Sequence, residues 1–146
     1  EVGVASIAPM ETRRAVARAG SEHRLDRWQR LAAAAAKQCG RSRVPQVHPP
    51  SDLEGVLARL AAQCQLVLVG DPGGQGDLRQ CVDECRPAEV GLLVGPEGGF
   101  APEELEAARG VGARSINWAG RTLRADTAAV VLAALVLDAA ERALAG

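Results

Sequence analysis

Glu97 stands in the hexapeptide Gly95-Pro-Glu-Gly-Gly-Phe, an acid held between a proline and two glycines. Glycine permits positive φ and close backbone approach, so such a loop offers peptide N–H and C=O groups to whatever fills the space before it. Recognition by backbone suits a neutral or zwitterionic ligand, such as an adenine-ribose-amino acid conjugate, whose base edge needs donors and acceptors. The plainer use of the same residues is a tight turn with a helix-capping acid. A second segment, Trp118-Ala-Gly-Arg-Thr-Leu-Arg-Ala-Asp-Thr-Ala, gathers Arg121, Arg124 and Asp126 ahead of an apolar stretch. Arginine gives planar, multidentate donors to a phosphate or base edge, and Asp126 with Thr127 suits either chemistry or helix capping. A third, Gly70-Asp-Pro-Gly-Gly-Gln-Gly, lacks the Gly-Lys-Ser/Thr of a P-loop and does not fit G-x-G-x-x-G. His23 and His48 have no Ser, Cys or second His set to work with them, which argues against a histidine-based mechanism.

These segments need elements to position them, and hydrophobic periodicity supplies the candidates. Residues 2–8 read as a strand broken by Pro9, and residues 22–39 as a helix with Ser21 as N-cap and Gly40 as C-cap. Residues 43–47 suggest a short strand, and Ser51 opens a helix to about Gln63. The continuous apolar runs 65–69 and 90–94 suit buried parallel strands, each running into one of the glycine loops. Helices follow at 77–85 and from Pro102, with proline in the first turn and acids near its positive end. Residues 113–118 give a last strand candidate and 124–144 a long closing helix. Strands alternating with helices predict an α/β fold, a parallel sheet flanked by helices. Ligands in such sheets sit beyond the carboxyl ends of strands, which singles out the loops at 70–76, 95–101 and 118–124.

A chain of 146 residues with 47% hydrophobic and 24% charged residues can bury one core and is not a disordered polyelectrolyte. Aromatics reach only 2%, which weakens any reading based on stacking platforms for bases. The longest apolar stretch, within residues 127–140, falls short of the roughly 20 residues of a bilayer span. No signal-peptide pattern precedes it, and the opening at Glu1 inside an apolar run reads as a piece of a longer protein. Cys39, Cys64, Cys81 and Cys85 do not make the spacing of a zinc site and read as reduced structural thiols in the cytoplasm. Charge is uneven: residues 1–50 hold nine Lys/Arg against four Asp/Glu, whereas 51–112 hold four against eleven. That dipole can turn a positive face toward a polyanion, although an ordinary solvated helix surface accounts for it as well.

Gly95-Pro-Glu-Gly-Gly-Phe, Pro102-Glu103-Glu104 and Arg121-Thr-Leu-Arg-Ala-Asp-Thr-Ala together resemble the C-terminal signature of the RsmE family of SPOUT methyltransferases. The likeness continues upstream. Glu1-Val-Gly-Val-Ala-Ser-Ile-Ala-Pro is similar to the family's E-L-G-V-x-x-I-x-P, Arg27-Trp-Gln-Arg and Ala35-Ala-Lys-Gln-Cys-Gly-Arg to its R-W-x-x-I and A-x-x-Q-S-G-R, and Val44-Pro45 to the segment after them. The resemblance implies an S-adenosylmethionine (SAM)-dependent methyltransferase acting on N3 of a uridine in small-subunit (16S) ribosomal RNA, yielding S-adenosylhomocysteine without a metal. It implies a deep C-terminal trefoil knot, a homodimer and a cytoplasmic site of work. Residues 1–146 would form the methyltransferase domain, without the family's N-terminal RNA-binding barrel and first strand and helix.

The same resemblance assigns SAM to Val69, Gly70 and Asp71; to Gly95, Pro96, Glu97, Gly98 and Gly99; and to Ile116, Trp118, Ala119, Arg121, Thr122 and Leu123. It assigns RNA to Arg14, Gln38 and Arg41, and catalysis to Arg124 and Asp126. Arg124 would stabilise the anion that develops on the uracil carbonyls, and Asp126 would orient or accept a proton. The chain departs from the usual L-G-x-R-I-L-R-T-E-T-A by placing Ala119 for a glycine and Asp126 for a glutamate, and has Asp71 where many members carry histidine. Rival readings are a SPOUT enzyme acting on tRNA, a non-catalytic SAM- or nucleotide-binding module, and a structural ribosome-assembly factor, which predicts RNA binding without SAM.

Overall fold

Leu66, Val67, Leu68 and Val69 are all buried, so the strand they form must be covered on both faces. The structure, a computed structural model, describes residues 1–15, 22–118 and 122–145. Strand β5 (Leu66–Gly70) lies between β6 (Val90–Val94) and β7 (Arg114–Ile116), both parallel to it. Alternate side chains point to opposite faces. Val67 and Val69 join Leu53, Val56, Leu57, Leu93, Phe100 and Ala108 in one core layer, contributed by α2 (Leu53–Gln63) and α4 (Pro102–Gly110). Leu66 and Leu68 join Leu78, Val82, Ile116, Leu132 and Val136 in the other, contributed by α3 (Leu78–Cys85) and α5 (Ala125–Ala145). Parallel strands flanked by helices are the predicted α/β arrangement.

The chain before this sheet differs from its prediction in length and register. The strand expected over residues 2–8 is reduced to β1 (Ser6–Ile7), with β2 (Met10–Glu11) after Pro9. Gly3 takes a φ of 121°, which takes the chain out of extended backbone at that point. The strand expected at 43–47 shortens to β3 (Gln46–Val47), since Pro45 has no N–H to give to a ladder. β1 pairs with β3, and β2 with β4 (Ser51–Asp52), both in parallel. Ser51 therefore opens a two-residue strand and not the helix, and Asp52 caps α2 by accepting from the Gly55 N–H at 2.8 Å.

Helix α1 (Glu22–Gln38) closes as predicted on Gly40, whose φ of 73° turns the chain so that the Arg41 N–H reaches the Ala36 carbonyl at 2.9 Å. The proposed cap Ser21 lies outside the described residues, as do Ala119 and Arg121. Asp77 caps α3 through the Gln80 N–H at 2.9 Å. No helix among the described residues is long and apolar enough to cross a membrane.

Candidate active site

Three strand ends meet at one cleft of about 300 Å³, as expected for ligands of parallel sheets. Gly70 ends β5, with Asp71 and Pro72 after it; Gly95, Pro96, Glu97 and Gly99 follow β6; Ile116 ends β7, with Asn117 and Trp118 after it. Thr122, Leu123 and Arg124 complete the wall, while Ala125, Ala128 and Leu132 of α5 supply an apolar side one helical turn apart.

The glycines explain how the loops come so close. A Cβ on Gly74 would lie 2.9 Å from the Ile116 carbonyl carbon and 3.0 Å from the Asp71 oxygen, and one on Gly76 would lie 2.7 Å from the Ser115 oxygen. The loop after β5 therefore runs backbone against backbone along β7 and its exit. Hydrogen bonds hold it there, Gly76 N to Ser115 O at 3.1 Å and the Asn117 side-chain amide to Pro72 O at 2.7 Å. Within the loop, Asp71 Oδ1 accepts from the Gly73 N–H at 3.0 Å. At Gly70 a Cβ would lie 2.8 Å from Leu132 Cδ1, so the Leu132 side chain of α5 packs onto the strand end where glycine leaves room.

The loop after β6 is a turn closed by Gly99 N to Pro96 O at 2.8 Å, with Gly99 at a φ of 67°. Phe100 turns back beneath it, buried, and would lie 3.1 Å from a Cβ on Gly95. Pro102 then starts α4 at its first position.

Most of the residues expected at a ligand come together here: Gly70, Asp71, Gly95, Pro96, Glu97, Gly99, Ile116, Trp118, Thr122, Leu123 and Arg124 line one space. Val69, by contrast, packs into the core between the sheet and α2. Gly98 turns its carbonyl to the Arg14 guanidinium at 2.9 Å. Asp126 is exposed in the first turn of α5, and its Oδ1 accepts from the adjacent Thr127 N–H at 2.7 Å, a local bond and not an N-cap, which would reach two or three residues on. Of the residues expected at RNA, Arg14 sits beside the cleft rim, Arg41 donates to Gly3 O at 3.3 Å, and Gln38 is exposed at the end of α1. Sequence reasoning missed Pro72, Val94, Asn117, Ala125, Ala128 and Leu132. Helical spacing puts Ala128 and Leu132 on one face with Arg124, but nothing in the sequence separates them from ordinary core residues.

An apolar floor of Val94, Ile116 and Leu132, backbone at Gly70, Gly95 and Gly99, and the carboxylates of Asp71 and Glu97 fit a flat base joined to a cationic tail. No cluster of His, Cys, Asp or Glu suited to a metal occurs among the described residues. The RNA methyltransferase domain family matches residues 1–137. The chain belongs to that family. Among relatives of this RNA methyltransferase domain, the ribosomal RNA small subunit methyltransferase E of Synechocystis is 30% identical over 141 residues, covering 93% of this chain and 45% of that protein. Among solved structures, a Legionella pneumophila methyltransferase with bound cofactor SAM superposes with a TM-score of 0.86 at 30% identity, covering 94% of this chain and 57% of that one. A ribosomal RNA small subunit methyltransferase E from Neisseria gonorrhoeae bound to S-adenosyl methionine gives 0.78 at 28% identity, covering 94% and 56%. The chain thus spans about half the length of the relatives it matches.

Proposed function

We propose that this chain is the catalytic domain of a SAM-dependent methyltransferase that modifies N3 of a uridine in small-subunit ribosomal RNA. The observation that carries this reading is the convergence of three strand ends on one glycine-walled cleft with Arg124 at its mouth, in a member of the RNA methyltransferase domain family. Relatives named for methylation of small-subunit ribosomal RNA, and neighbours solved with SAM, give the cofactor and substrate class.

SAM supplies an electrophilic methyl group on a sulfonium. The residues that would hold it are the peptide edges at Gly70, Gly95 and Gly99, the apolar side formed by Ile116, Ala128 and Leu132, and the rim carboxylates Asp71 and Glu97, which suit positive charge. Glycine edges and a buried floor exclude water from the reacting atoms. The uracil N3 carries a proton at neutral pH, so forming the N3–CH3 bond as the S–CH3 bond breaks requires that proton to pass to water or a base and the resulting anion to be stabilised. Arg124 lines the cleft, and its guanidinium would stabilise the anion on the flanking carbonyl oxygens. Asp126 accepts from the Thr127 N–H and would act by orienting the start of α5.

The same proposal includes a homodimer, a knotted C-terminal region and work in the cytoplasm. The close run of the 70–76 loop along β7 supports a knot, and the exposed Val130 on α5 supports an apolar seam. Incubation of the chain with labelled SAM and small ribosomal subunits tests the function. The expected product on nuclease digestion is N3-methyluridine; label in tRNA alone, or in another nucleoside, overturns the substrate assignment.

A further inference from the structure

Glu104 is a buried acid, 7% exposed, and its two oxygens go to two different parts of the chain. Oε2 accepts from the Ala101 N–H at 2.7 Å and Oε1 from the Arg13 N–H at 2.8 Å. The first bond caps α4, which needs it because its N-cap residue is Ala101, with no side-chain oxygen to offer. The second does nothing for α4. It reaches a turn closed by Ala15 N to Thr12 O at 3.2 Å, in which Arg13 and Arg14 occupy the two central positions.

That turn is held at a second point. Arg14 donates to Gly98 O at 2.9 Å, and a Cβ on Gly98 would lie 3.2 Å from the Arg14 Cβ. Gly98 is flanked by Glu97 and Gly99, both in the cleft wall. Two exposed arginines are thereby fixed beside the cofactor loop by a carboxylate that is itself out of water, where charge-assisted bonds are strong and a lost partner is costly. Arg13 also lies 3.9 Å from Glu103, an exposed pair that adds little to the fixing.

We propose that Glu104 is a positioning residue for the methyl-accepting RNA: through the Arg13 N–H it sets where the Arg13-Arg14 turn meets RNA phosphates relative to the cofactor cleft. This rests on the RNA methyltransferase reading above. The decisive comparison is Arg13→Pro against Arg13→Ala. Proline is favoured at the second position of such a turn, so the turn persists while the N–H that Glu104 accepts is deleted; alanine removes the charge and keeps the N–H. Glu104→Gln serves as the partner variant.

Affinity for small-subunit ribosomal RNA, affinity for SAM and amide exchange over residues 12–15 are measured on each chain. Arg13→Pro and Glu104→Gln are expected to weaken RNA binding roughly tenfold beyond Arg13→Ala, the scale of one charge-assisted hydrogen bond. Amide exchange in the turn should rise while SAM affinity stays within about twofold, well under the tenfold step. Equal RNA affinity for Arg13→Pro and Arg13→Ala overturns the proposal for Glu104 alone. RNA and SAM affinity falling in step with unfolding temperature overturns it in favour of a purely structural cap. A wild-type chain that binds SAM but no RNA overturns it together with the reading on which it rests.

Discussion

The Asp71 N–H donates to the Ile116 carbonyl oxygen at 3.0 Å, joining the exit of β5 to the exit of β7 at the base of the cleft. Neither strand ladder requires this bond; it extends the pairing of Gly70 with Ile116 by one step into the loops. Two loops of the cleft therefore share a backbone anchor, and displacement of one moves the other.

Gly74 is where that anchor is most easily broken. An added Cβ would sit 2.9 Å from backbone of Ile116, and backbone cannot swing aside. Gly74→Ala should cost about 1–3 kcal/mol of stability and lower SAM affinity at least tenfold. Gly73→Ala places its Cβ 3.6 Å from Asp71 Oδ1, ordinary contact, and should change neither. Thermal unfolding and SAM titration of the pair check this.

Arg124 is exposed at the cleft mouth, off the apolar floor. Arg124→Ala should lower kcat by about a hundredfold or more, the scale of a lost oxyanion donor, while SAM affinity changes little. Single-turnover transfer and equilibrium SAM binding separate the two; equal losses in both would assign Arg124 to the cofactor.

RNA and SAM binding should separate by salt. Residues 1–50 carry nine Lys/Arg, and phosphate contacts release counterions on binding. Raising salt should weaken ribosomal RNA binding steeply and leave SAM binding nearly unchanged, as read by the slopes of affinity against salt.

Glu84 on α3 accepts from Gln80 and from Arg114 of β7, both at 2.9 Å, and these bonds hold its carboxyl below the ordinary carboxylate range. A folded pKa below the unfolded one gives stability that is present above the unfolded pKa and lost as pH falls through the folded one. Glu84→Gln should therefore lower the unfolding temperature near neutrality and converge with the wild type in acid. A gap between the two chains that stays constant with pH would contradict this.

Legibility in the sequence followed the physics of each element. β6 was readable to the residue because an apolar run bounded by Gly95 has few alternatives, and α4 because proline at its first position marks a start. β1 and β3 were overestimated, since Gly3 and Pro45 act on backbone conformation and donors, which apolar pattern does not register. The loops of the cleft were placed by strand order alone. Its α5 side was not, because Ala128 and Leu132 look like any core-facing helix residues until the loops are seen in front of them. Glu104 read only as an acid near a helix start; its bond to Arg13 joins distant parts of the chain that only folding brings together.

The central claim is that the three loops form one SAM site, and calorimetric titration of this chain with SAM and with S-adenosylhomocysteine tests it most directly. Single-site binding is expected in the wild type and its loss in Gly95→Leu, whose side chain would be driven against Phe100 and into the loop, with the fold retained by circular dichroism. A folded wild-type chain that takes up neither ligand, or a Gly95→Leu chain that binds them unchanged, would contradict it.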